Sequence, residues 1–132
     1  MPQIPYKDTQ TVVLSVPNPA AKINVEIPNS QLYLGFTIQI IGALCKVNNV
    51  DEGFNVEVNL GGRDSNGDPA WALLYSADFY TDADPHIHAG QAITFSLRAP
   101  AAGKLRLSSR ANMTDAGKAV ISMYDRAFPP QV

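Results

Sequence analysis

From Lys22 to Ile27 the chain alternates, with Ile23, Val25 and Ile27 on one side and Asn24 and Glu26 on the other. The run from Phe54 to Leu60 repeats the pattern without a break: Phe54, Val56, Val58 and Leu60 alternate with Asn55, Glu57 and Asn59. A period of two is the mark of a strand with one buried face, because successive side chains point to opposite sides of a sheet. The same reading predicts strands over Thr11–Val16, Phe36–Leu44, Ala70–Phe79, Ala92–Arg98, Lys104–Ser108 and Ala119–Tyr124. About eight strands at short spacing predict an all-β chain, and two four-stranded sheets packed face to face make a jelly roll. Val56, Val58, Leu60, Ile93, Phe95 and Leu97 are expected in its core, since a slip of one residue would expose a whole apolar face. Trp71 and Phe95 are expected in the core or at a sheet edge.

The breaks between these runs have local causes. Asp64-Ser65-Asn66-Gly67-Asp68 carries an Asn-Gly pair, which favours a hairpin with positive φ at both central positions. Ala99-Pro100-Ala101-Ala102-Gly103 predicts the next turn, Asn48–Gly53 a polar loop, and Arg110–Lys118 a connector with room for one helical turn. With 10 Pro and 9 Gly among 132 residues, little space remains for long helices. No linker divides the chain, so residues 1–132 are read as one domain. Residues of about 1–10 and 127–132 are Pro-containing and extended, and are read as terminal arms. They lie along their own domain or dock on neighbouring subunits. In the second case Ile4, Tyr6 and Phe128 are the apolar anchors.

Composition narrows the function. Hydrophobic residues are 45% and charged residues 17%, which excludes disorder as the main state. The net charge of −2 leaves no basic excess to neutralise a phosphate backbone, so no nucleic-acid partner is expected. No apolar run is long enough to span a bilayer as a helix, and the N-terminus has no signal-peptide core, so no membrane partner is expected. One cysteine, Cys45, rules out an intrachain disulfide and is read as a buried small hydrophobe.

Candidate chemistry is sparse. His86 and His88, the two histidines of the chain, stand two residues apart and point to the same side if extended, so they are the candidate metal ligands. Cupin jelly rolls hold a metal on such a pair, with a following glutamate and a further histidine. Here no glutamate follows His88 and no third histidine exists, so neither metal nor cofactor is expected. Asp64 to Asp68 resembles the start of a calcium loop but lacks the later carboxylate, and a turn accounts for it. There is no Gly-x-Ser-x-Gly elbow and no phosphate-cradling glycine loop before a helix. Asp51-Glu52 falls in the expected exposed loop, and Asn112-Met113-Thr114 matches a glycosylation sequon by chance. The chain is read as a non-enzyme.

One block resembles the galectins, jelly-roll lectins. It runs through Leu34-Gly35-Phe36 to Gly42, then the Phe54 strand, then Trp71 to Phe79, then Ala89 to Leu97. The resemblance covers about half the chain and implies a jelly roll whose Trp71–Phe79 strand faces a sugar. Where the family's sugar strand carries histidine, asparagine and arginine, this chain has Leu74, Ser76 and Asp78. No tryptophan follows between Phe79 and Gly90, which leaves Tyr75 and Tyr80 as the sugar-facing candidates. In size and pattern the chain also looks like the capsid decoration, or cement, proteins of tailed phages. The first expectation is therefore a structural protein that binds itself or a capsid lattice on a virion. The alternative is a galectin-like carbohydrate-binding module, cytoplasmic or non-classically secreted.

Overall fold

A computed structural model describes residues 7–48, 50–77, 92–100 and 102–125. In chain order it has β1 (Lys7–Leu14), β2 (Asn24–Glu26), a 3-10 turn (Ser30–Leu32), β3 (Gly35–Ile41), β4 (Leu44–Val47), β5 (Val50–Glu52) and β6 (Phe54–Asn59). There follow β7 (Ala72–Ala77), β8 (Ala92–Arg98), β9 (Lys104–Ser109), β10 (Met113–Asp115) and β11 (Gly117–Tyr124). Two four-stranded antiparallel sheets form the sandwich: sheet A in the order β1-β11-β3-β8, and sheet B in the order β2-β9-β6-β7. Apart from β6 and β7, which are adjacent in sheet B, successive strands of the sandwich alternate between the two sheets, which is the jelly-roll arrangement expected from the sequence. A third sheet, β10-β4-β5, adds three short strands.

Alternation places the core. From sheet A, Val12 and Leu14, Phe36, Ile38 and Ile40, Leu97, and Ala119, Ile121 and Met123 turn inward. From sheet B, Phe54, Val56, Val58, Leu105 and Leu107 meet them. Ile93 and Phe95 are partly buried against this core, because β8 is an edge strand. Leu60 departs from expectation: β6 stops at Asn59, and Leu60 is 65% exposed just past the end of the sandwich.

Other expectations change at boundaries. The Phe36–Leu44 run is two strands, because the chain turns at Gly42-Ala43 and leaves sheet A for the third sheet. The polar loop expected over Asn48–Gly53 contains β5, which pairs with β4 in a register that sets Val47 opposite Val50. That pairing rests on the backbone, so no apolar pattern announces it. The expected Arg110–Lys118 connector holds β10 and the start of β11, with Met113 fully buried. Strand pairing begins by Lys7 rather than Thr11, so residues 7–10 of the expected N-terminal arm belong to sheet A. Residues 99–103 link β8 of sheet A to β9 of sheet B, a crossover between sheets and not a hairpin.

The Asp64 turn joins β6 to β7 as expected, by a different mechanism. Only Gly67 takes positive φ, at 83°. The Asp64 carbonyl accepts from Gly67 N–H at 3.0 Å, and Asp64 Oδ1 accepts from Asn66 and Asp68 N–H at 2.9 and 3.0 Å. One carboxylate oxygen thus organises the turn, as Asp side chains do when they bond to the backbone two residues on.

Candidate functional site

The outward positions of the two sheets differ in chemistry. On sheet B, register aligns Glu26, Arg106, Glu57 and Leu73 in one row, and Asn24, Ser108, Asn55 and Ser76 in the next. Arg106 Nε donates to Glu57 Oε1 at 2.8 Å. The Ser108 hydroxyl lies 2.6 Å from the same oxygen and 2.7 Å from Asn24 Oδ1. Ser76 donates to Asn55 Oδ1 at 2.6 Å, and Arg110 Nη1 reaches Ser76 Oγ at 3.4 Å. The Arg106 guanidinium also lies over the Trp71 ring, 4.3 Å from its centroid, so cation–π attraction adds to the ion pair.

Partial burial pushes the Glu57 carboxyl up, but the Ser108 hydroxyl and Arg106 outweigh it and hold the carboxyl below its ordinary range. A carboxyl whose folded pKa is lowered contributes stability that is fully present above its unfolded pKa. That contribution is lost as pH falls through the folded value. Glu57→Gln should therefore lower the urea midpoint at pH 7 and make less difference at pH 3. An equal loss at both pH values would mean that the carboxylate charge contributes nothing.

Three of the four outward rows of sheet A carry a single charge between them, and the fourth, which register aligns as Lys7, Tyr124, Gly35 and Arg98, lies at one end of the sheet. Thr11, Val120, Gln39 and Thr94 form the middle row, and Thr9, Ser122, Thr37 and Ser96 the row beside it. On the other side stand Val13, Lys118 and Ile41. Lys118 is the one charged side chain in these three rows, and Val13 is 68% exposed. Thr37 and Ser96 join their hydroxyls at 2.9 Å.

The sequence-derived candidates separate. Tyr75 is stacked on Phe95 with centroids 5.0 Å apart, so one face of its ring is taken by a bridge between the edge strands β7 and β8. Leu74, at the family's histidine position, falls in a β-bulge where β7 slips against β6. Tyr80, Asp78, His86, His88, Ile4, Tyr6 and Phe128 lie outside the described residues. Cys45 is fully buried with its thiol directed at the Glu52 and Gly53 carbonyls, both at 3.3 Å, and burial pushes its pKa up. Among the described residues no three His, Cys, Asp or Glu side chains form a group able to hold a metal. A cleft of about 250 Å³ at the end of β6, lined by residues that include Asn59, Leu60, Arg63 and Lys104, is smaller than usual ligand pockets of roughly 300–1,000 Å³.

Sequence reasoning missed the Glu57–Arg106–Ser108–Asn24 network. Its one legible signal is a charge at alternate positions of an apolar strand, and the pairing of β6 with β9 that joins the partners is not readable locally. No family model, curated protein or solved structure matches the chain.

Proposed function

We propose that the chain is a non-enzymatic assembly protein that binds copies of itself or a larger protein lattice, as a decoration or cement protein does on a phage capsid. What supports the reading is the outer face of sheet A. Three of the four rows across the sheet hold hydroxyls, an amide and aliphatic groups with a single cation, whereas sheet B carries the Glu57–Arg106 ion pair in the middle of its face. The centres of protein interfaces are depleted of charge in this way, because desolvating a charge costs more than contact returns. Small β-branched and hydroxyl side chains also present a flat surface that loses little rotamer freedom on docking.

The test is a paired substitution, Gln39→Glu with Val120→Lys. The two residues are directly opposite on β3 and β11, so the new charges attract each other and strand pairing is kept. The face, however, becomes charged. Sedimentation velocity should find concentration-dependent association of the native protein and its loss in the double variant, with the melting temperature little changed. Association that survives both charges would remove this face from the reading.

A galectin-like carbohydrate-binding module is the second reading. It draws on Trp71 beside the Arg106–Glu57 pair, an aromatic ring next to fixed polar groups. Under the assembly reading, lactose leaves the melting temperature unchanged. A rise of several degrees would reverse the order of the two.

A further inference from the structure

We infer that β1 is the contact strand of a two-fold symmetric dimer, in which β1 pairs antiparallel with β1 of a second copy and sheet A continues across the axis. The inference rests on the assembly reading above and names its first contact. Among the described residues no strand pairs with the outer edge of β1, and apart from the Thr9 amide, which donates to Asp8 Oδ1 at 2.9 Å, its outward backbone groups are open to pairing.

The other edges are blunted in recognisable ways. Strands β2, β5 and β10 are three residues each. Strand β7 carries the bulge at Leu74, and β8 is tied to β7 by the stacking of Tyr75 on Phe95. Strand β1 has none of these devices. It runs eight residues in unbroken register against β11, and from Thr9 to Val16 it contains neither a charge nor a proline. An edge that is uncharged from Thr9 onward and rich in β-branched residues invites association unless a specific partner takes it.

A second copy fits that partner by register. Val12 and Leu14 turn to the core, and Thr9, Thr11 and Val13 turn out. The pairing must keep inward residues opposite inward ones, so the axis has to pass through a residue and not between two. With Thr11 on the axis, every residue from Asp8 to Leu14 has a partner inside the strand. Thr9 then meets Val13 and Thr11 meets Thr11, pairs that favour sheets. The two Asp8 residues fall at opposite ends, six residues or about 20 Å apart, so no like charges meet. The outer face of sheet A, with its rows of hydroxyl and aliphatic groups, widens from four strands to eight.

The test puts charge on the axis. Thr11→Glu and Thr11→Lys each set a like charge against itself, and each should weaken dimerisation of the full chain by roughly a hundredfold in sedimentation velocity. An equimolar mixture of the two should recover the dimer, which a folding defect in either variant would not allow. If both variants dimerise like the native chain, the β1 contact is wrong. The assembly reading then stands or falls on the Gln39→Glu, Val120→Lys variant. If the native chain is monomeric at every soluble concentration, the inference and self-association fall together. If a chain ending at Asp125 dimerises where the full chain does not, the chain's own C-terminal residues cover the edge and the inference is overturned.

Discussion

Phe54→Ala is expected to cost about 3–5 kcal/mol, the range for removing a buried aromatic ring from a packed core. Phe54 opens β6, the strand between β9 and β7, and its ring is fully buried among side chains of both sheets. No rotamer of a neighbour can refill so large a space in an interior packed like an organic crystal. Against a total stability of roughly 5–15 kcal/mol, the loss should lower the melting temperature by roughly 10–20 °C. Leu73→Ala is the control. Leu73 stands on the outer face of the same sheet, 62% exposed, and its removal should stay within about 0.5 kcal/mol. If the two substitutions shift the urea midpoint equally, the assignment of inward and outward faces on sheet B is wrong.

That assignment is the part of the fold that local pattern carries best. In the Phe54 and Ala92 runs the alternation is strict, and the strands fall within a residue of the expected bounds. Alternation fails where burial does not alternate. Leu60 continues the inward phase of β6, yet the sandwich ends one residue earlier, and nothing in Val58-Asn59-Leu60 marks that end. Strands β5 and β10 have three residues each, too short for a period to be visible, and they form because β4 offers backbone groups on both sides.

The candidate surfaces were harder still to read. Thr9, Thr37, Thr94 and Ser122 are unremarkable one by one. They become a surface only when β1, β11, β3 and β8 lie side by side, and that order joins residues more than a hundred positions apart. The same holds for Glu57 and Arg106, which are charges in separate runs until β6 meets β9. The galectin resemblance implied a sugar strand at Trp71–Phe79, and it could not register the bulge that takes Leu74 out of step.

Gly117→Ala is expected to cost about 3 kcal/mol, at the upper end of overpacking, and it tests the corner that holds sheet A together. Gly117 begins β11 opposite Leu14 of β1. A Cβ there would run into the Ile41 carbonyl oxygen and the Ala43 amide nitrogen, and would stand 2.7 Å from the Gly42 carbonyl carbon. All three are backbone atoms, so no side chain can swing aside to make room. Relief would require moving β11 away from the turn at which the chain leaves β3 for the third sheet. Because β11 lies between β1 and β3, that movement would loosen both pairings and with them the outward rows of sheet A. Gly62 provides the comparison: no atom lies within 4 Å of a Cβ built there, so Gly62→Ala should be neutral or stabilising by up to about 1 kcal/mol. Melting curves of the two variants should differ by roughly 10 °C or more. Gly117→Ala should also associate less, in proportion to its unfolded fraction. A folded, fully stable Gly117→Ala chain that had lost association would instead place the start of β11 inside the contact surface.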